Sequence, residues 1–133
     1  MKMPKYVYPA IFAPEEEGGY SISFPDLENC FTQADSLEEG IKMASDVLCL
    51  MLYDMEENKR SIPKASNIRD VATSGDEFTT LINCDTIEYR KFFNSKAVKK
   101  TLTIPAWLNT MAEQEEINFS AVLQKALKAE LNI

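Results

Sequence analysis

The sequence predicts an α+β protein of two small units: a β-β-β-α-β domain over residues 1–84 and a strand–helix–helix segment over 99–133, with a linker at 85–98. Three observations predict it. Runs rich in β-branched and aromatic residues, each bounded by turn residues, recur before residue 35; a long segment with apolar residues at helical spacing follows them. The charge also divides the chain: residues 1–95 carry 9 basic against 17 acidic residues, a net −8, whereas 96–133 carry 5 against 4, a net +1. A chain of 133 residues with 45% hydrophobic content can bury a core, and two small units suit it better than one.

The first segment, Lys5–Ala13, is rich in Tyr, Val, Ile and Phe and leads through Pro14, three glutamates and Gly18-Gly19 into Tyr20–Phe24, the pattern of a β-hairpin. Pro25-Asp26 turns the chain, and Phe31–Ala34 has the length of a third strand lying against the hairpin. Three antiparallel strands leave an apolar face open, and the next segment is built to cover it. Asp35 or Ser36 caps a helix, Glu38 or Glu39 completes a capping box, and Leu37, Ile41, Ala44, Leu48, Met51, Leu52 and Met55 form the stripe to be buried. Gly40 costs ~1 kcal/mol against alanine inside a helix, which predicts that the helix passes close to the sheet there. After Ile62-Pro63 the run Lys64–Gly75 is polar and irregular, and Glu77–Cys84 is a further strand that completes the sheet. The joint that follows is partly helical and packed, because Tyr89, Phe92 and Phe93 would otherwise be exposed.

In the tail, Lys99–Ile104 alternates, with Leu102 and Ile104 on one face and Lys99, Thr101 and Thr103 on the other. Pro105 ends the strand and suits the first turn of a helix, in which Leu108, Met111 and Ala112 follow at helical spacing. Asn118 caps a second helix whose Val122, Leu123, Ala126, Leu127 and Leu131 make one apolar stripe. So short a segment cannot enclose that stripe, since chains below about 40 residues usually need oligomerisation or a covalent staple. A lone strand likewise leaves its backbone groups unpaired. A two-fold homodimer answers both needs, pairing two copies of the strand into a ribbon that fits the major groove of double-stranded DNA.

This stretch resembles the ribbon-helix-helix family of repressors, through its strand–Pro–helix–polar cap–helix order and the alternating KKTLTIP. The resemblance implies that Lys99, Thr101 and Thr103 read bases of an operator, and that Asn118, Phe119 and Ser120, at the start of the second helix, grip a phosphate. The span from Pro105 to Asn118 is about one helical turn shorter than in many members, and Glu116 stands where a helix-ending glycine is common.

The N-terminal part is similar to the HicB antitoxin family. The matching pieces are Tyr20, Phe24-Pro25-Asp26-Leu27, Cys30, Thr32, Asp35-Ser36-Leu37-Glu38-Glu39 and Ile62-Pro63; Gly40 replaces the usual alanine and Asn29 a frequent glycine. The resemblance implies a partial RNase H-like domain without nuclease activity of its own, paired with a HicA-like toxin, a small basic ribonuclease that cleaves mRNA. It further implies that this domain covers the toxin's active surface while the tail represses the shared operon. The charge division suits both tasks, since complementary fields steer association. Candidate toxin contacts are the acids of the hairpin tip and of the FPDL turn: Glu15, Glu16, Glu17, Asp26 and Glu28. The protein is then a dimer through its tail, and a tetramer if the N-terminal domains also meet.

Catalysis finds little support. The chain has no histidine, and its serines and cysteines lack an adjacent base. An RNase H-like nuclease needs converging carboxylates, for which Asp26, Glu28, Asp46 and Asp54 are the candidates. Asp46 and Asp54, however, lie ~80° apart around the long helix, and Asp26 suits an Asx turn with its own backbone. Cys30, Cys49 and Cys84 are odd in number and form no CxxC pattern, so neither a disulfide framework nor a zinc site is expected, and no cofactor is implied. The start, MKMPKY, lacks the apolar core of a signal peptide, and the longest apolar run, Val47–Leu52, falls far short of the roughly 18 residues of a membrane helix. A cytoplasmic protein is expected. The competing reading is a DNA-binding regulator whose N-terminal domain senses a small molecule, which requires a ligand-sized apolar pocket there.

Overall fold

Strand β1 (Lys5–Pro14) sits inside a four-stranded antiparallel sheet and organises the first unit. Its C-terminal half pairs with β2 (Tyr20–Ser23), from Ile11 opposite Ser23 to Pro14 opposite Tyr20. Along most of its length it also pairs with β4 (Phe78–Asp85), from Lys5 opposite Asp85 to Phe12 opposite Phe78. Strand β3 (Phe31–Ala34) extends the sheet beyond β2, giving the order β3-β2-β1-β4. Pro9 is tolerated in this central strand because β1 is flanked there by β4 alone, where a missing N–H need not break a second ladder. The computed structural model describes residues 5–133, which divide into one unit ending at Ser95 and another running from Lys96 to Ile133. Residues 1–4 of the start read above for a signal peptide lie outside the described residues.

The hairpin turn depends on glycine. Gly19 has φ +84°, and a Cβ there would lie 2.6 Å from the Ala34 carbonyl oxygen. The turn is closed by the Glu15 N–H to the Gly19 carbonyl at 3.0 Å. One face of the sheet, carrying Tyr8, Ala10, Phe12, Ile22, Ala34, Ile82 and Cys84, packs against helix α1 (Leu37–Glu57) to form the core. Burying each large apolar side chain contributes ~1.5–3 kcal/mol.

Ser36 caps α1, its Oγ accepting the Glu39 N–H at 3.2 Å, and Glu39 reaches back to the Asp35 N–H. The buried stripe differs from the expected one. It runs Gly40, Ala44, Leu48 and Leu52, whereas Leu37 and Ile41 remain 46% and 49% exposed. Gly40 is the cause: a Cβ there would lie 3.0 Å from Phe12 Cε2 and 3.2 Å from Ile22 Cδ1, so the helix seats its glycine on the sheet and leaves Leu37 and Ile41 at the stripe's edge. Met51 and Met55 are packed against the core and half-buried.

The segment read as a joint begins as helix α2 (Thr86–Phe93), following β4 without a break and capped by Asp85, whose Oδ1 accepts the Ile87 and Glu88 N–H groups. Tyr89 packs on Tyr53 with ring centroids 5.2 Å apart, but Phe92 and Phe93 stay 79% and 64% exposed. A two-turn helix resting on α1 has only one inward face, and Thr86, Tyr89 and Arg90 occupy it.

In the second unit, α3 (Ala106–Gln114) follows Pro105 and α4 (Phe119–Leu131) follows Asn118. Lys99–Ile104, expected as a strand, has no strand pairing in the single chain. A β-strand is defined by a partner's backbone, and this unit contains no second strand to supply one. No residue from Lys96 to Ile133 is buried.

Candidate functional surfaces

The five acids singled out near the hairpin tip and the FPDL turn do not form one surface. Glu15, Glu16 and Glu17 line an open concavity of about 690 Å³ together with Asp35 and Glu39, at the tip of the β1–β2 hairpin and the start of α1. Glu15 accepts the Ser21 hydroxyl there, and all three glutamates are exposed. Asp26 and Glu28 lie beyond the other end of β2 and line a separate groove with Met51, Met55 and Arg60. The two clusters are set apart by the length of a four-residue strand.

The carboxylates weighed for catalysis are dispersed as well. Asp26 Oδ2 accepts the Ser66 N–H at 2.9 Å, and its other oxygen takes the Ser66 hydroxyl. Asp54 pairs with Arg60 and accepts the Asn58 amide at 3.0 Å. Asp46 borders an apolar concavity with Tyr89 and Phe93. Among the described residues, no group of three or more His, Cys, Asp or Glu side chains is placed to hold a metal ion, and no helix is long and apolar enough to cross a membrane.

In the second unit, Asn118 Oδ1 accepts the Ala121 N–H at 3.0 Å and so caps α4 as the sequence predicts. The amides of Phe119 and Ser120 are then the first-turn donors directed out of the helix start. Phe119 and Ser120 also line a groove with Lys100, Leu102, Ile104, Val122, Leu123 and Ala126, which gathers the inward face of the 99–104 segment beside α4. Lys99, Thr101 and Thr103 are exposed.

Residues 8–127 match the family of HicB-like antitoxins of bacterial toxin–antitoxin systems, a span that includes most of both units. The chain belongs to that family. It is 43% identical over 56 residues to Antitoxin HicB 1 of Photorhabdus laumondii, a stretch covering 42% of this chain and 36% of that protein, so the match spans about a third of that relative's length. It is similar to a chain of a toxin–antitoxin complex from Streptococcus pneumoniae at 26% identity and a TM-score of 0.60, covering 95% of this chain and 99% of that one. The antitoxin HicB of Burkholderia pseudomallei shares the fold, with 13% identity and a TM-score of 0.55 over 92% of this chain and 96% of that chain. The mixed α+β architecture with an antiparallel sheet is thus that of HicB structures.

The structure explains the HicB-like motifs of this chain as fold elements. Phe24 and Leu27 of FPDL are buried, and the Leu27 N–H closes a turn on the Phe24 carbonyl at 3.1 Å. Asp26 does not fold back on its own backbone as an Asx turn. It ties this turn to Ser66, 40 residues along the chain and four past Ile62, so that the FPDL turn is held to the segment after Ile62-Pro63. Asn29, standing where the family often has glycine, has φ +59°, and Asn tolerates that left-handed region better than most residues. Sequence reasoning missed Glu56, whose carboxylate accepts the Tyr6 hydroxyl at 2.7 Å, the Thr86 hydroxyl at 2.9 Å and Arg90 at 3.0 Å. One polar residue near the end of an amphipathic helix gives no sign of its partners, so only the assembled sheet reveals this one.

Proposed function

We propose that this HicB-family chain is an antitoxin that neutralises a HicA-like, mRNA-cleaving toxin through its first unit and represses its own operon through its second. The observation that carries the reading is the second unit's lack of a core. Its helices α3 and α4 contain no buried residue, yet Trp107, Met111, Val122 and Leu127 are 50% or more exposed, an apolar surface that water-exposed helices of one chain would not retain. A second copy supplies the missing half. Two Lys99–Ile104 segments pair as a ribbon in a ribbon-helix-helix dimer, the apolar stripes of α3 and α4 close beneath it, and Lys99, Thr101 and Thr103 face the major groove. The amides of Phe119 and Ser120, behind the Asn118 cap, meet a DNA phosphate.

The first unit keeps a closed core on a partial RNase H-like frame and acts as a binding module, not as an enzyme. Its net negative charge favours a basic partner, and the carboxylates of the hairpin tip, Glu15, Glu16 and Glu17, form the larger acidic basin. Asp26 and Glu28 supply a second contact region at the FPDL groove. The protein works in the cytoplasm, where its toxin and operator are.

Fluorescence anisotropy with labelled DNA from upstream of the gene, run against a scrambled duplex across a salt series, tests the DNA arm. The reading requires a short basic open reading frame beside the gene, and coexpression with its product tests the toxin arm. The Thr101→Ala/Thr103→Ala double variant is expected to weaken operator binding by ten-fold or more while protecting cells from the toxin as well as wild type does, because base contacts are each worth ~1–3 kcal/mol. Equal loss of both activities, or absence of a toxin partner, overturns the two-module reading.

A further inference from the structure

The groove beside the FPDL turn differs from the acidic concavity at the hairpin tip in having an apolar base. It encloses about 350 Å³, with Leu27 buried, Met51 and Met55 half-buried one turn apart on α1, and Asp26, Glu28 and Arg60 supplying its charges. Bonds within the chain fix its walls. The Leu27 N–H closes the turn on the Phe24 carbonyl, and Asp26 holds Ser66 through both carboxylate oxygens. The Tyr8 hydroxyl donates to the carbonyl of Pro63, another lining residue, and the Arg60 N–H bonds the Met55 carbonyl at 2.9 Å. The two methionines are the adaptable part, since an unbranched thioether side chain reshapes itself around what it meets.

The three charges are not equivalent. Arg60 pairs with Asp54, and Asp26 already accepts the N–H and hydroxyl of Ser66, so both are committed within the chain. Glu28 is exposed, and among the described residues no hydrogen bond or ion pair holds it. Fixed walls, an adaptable apolar base and one uncommitted carboxylate suit a group that is apolar along its length and cationic at its end. An arginine or lysine side chain has that make-up, its methylene stem packing on apolar surface while its head keeps a polar partner. Charge points to the source: residues 1–95 carry 9 basic against 17 acidic residues, which draws a basic protein to this unit and repels a second acidic copy.

We propose that the FPDL groove is the socket for one long basic side chain of the protein partner, its stem lying on Met51 and Met55 and its charged head paired with Glu28. This socket depends on the chain being an antitoxin for a basic toxin, and it gives the acids different parts. Asp26 builds the socket through Ser66, Glu28 binds in it, and Glu16 and Glu17, exposed at the hairpin tip, add long-range attraction. An ion pair beside an apolar base is screened less than one surrounded by solvent.

The test titrates the full-length protein, labelled with methyl-13C methionine, with the product of the neighbouring short basic reading frame, and reads affinity by calorimetry and the methionine methyl signals by NMR. Glu28 is exposed, so Glu28→Gln is expected to keep the fold and to weaken binding about ten-fold, the worth of one charge-assisted hydrogen bond. Glu16→Gln and Glu17→Gln are each expected to cost only about two-fold. The Met51 and Met55 methyl signals are expected to shift in the wild-type complex. Wild-type binding that Glu28→Gln leaves unchanged, or that leaves both methyl signals unmoved, overturns the socket while the antitoxin reading stands. No binding by the wild type overturns that reading and the socket with it.

Discussion

At the scale of the residue, Glu56 decides where α2 lies. Its side chain is 12% exposed and gathers a phenol, a hydroxyl and a guanidinium from β1, the start of α2 and the body of α2. Removing the charge leaves Arg90 with Glu57 alone, at the more exposed edge of the cluster. Glu56→Gln is therefore expected to lower the stability of the first unit by ~1–3 kcal/mol at neutral pH, measured by guanidinium unfolding. The same carboxylate shapes the alkaline limb. Burial first, and then the hydrogen bond to Glu56, raise the pKa of Tyr6 from its ordinary 10.0, so the folded chain holds that proton more tightly than the unfolded chain does. That contribution is complete below pH 10 and is lost as pH rises beyond it. Stability should fall above pH 10, and less steeply in Glu56→Gln; parallel slopes for the two proteins would detach Tyr6 from Glu56.

At the scale of the element, what could be read in the sequence was whatever local chemistry decides. The hairpin, the third strand and the Ser36 cap follow from turn residues and periodicity, and Gly40 announced the close approach of α1 to the sheet. What could not be read depends on distant partners. The two-turn helix α2 is held by Tyr53, Glu56 and Glu57, more than 30 residues away. The acids grouped by sequence, Glu15–Glu17 with Asp26 and Glu28, are parted by β2, a separation of ~13 Å at 3.3 Å per residue. Helix ends show the converse case, geometry obeyed by unexpected residues. The Ile117 N–H bonds the Ala112 carbonyl and the Glu116 N–H the Glu113 carbonyl, a Schellman end with Glu116 at φ +54° where a glycine is usual. Lys59, at φ +52°, closes α1 in the same way. Two substitutions probe the two situations in opposite directions. Lys59→Gly is expected to stabilise the first unit by ~0.5–1 kcal/mol by relieving a left-handed residue. Gly40→Val should cost ~1–3 kcal/mol, because its side chain meets Phe12 and Ile22 with no space to enter. Chemical denaturation of both variants beside wild type checks the pair.

At the scale of the whole molecule, the two units solve the burial problem differently. The first encloses Phe12, Ile22, Leu48 and Leu52 within one chain, so its stability should not depend on protein concentration. The second has no buried residue of its own, and the proposed homodimer would make its folding a bimolecular event, in which each ten-fold dilution weakens it by ~1.4 kcal/mol. Leu123 is the sharpest probe of that difference. It lies half-buried in the groove beside Leu102 and Ile104, at the middle of the apolar stripe of α4. A carboxylate there would be desolvated without a partner if a second chain closes over it. Leu123→Glu is therefore expected to sediment as a monomer, to lose helix content and to lose operator binding, while the tyrosine-rich first unit unfolds at its wild-type midpoint. A variant that stays dimeric and still binds the operator would move the interface off this stripe, and with it the reason for α4 to be amphipathic. A variant that unfolds the first unit as well would overturn the expectation that the two units fold as separate events.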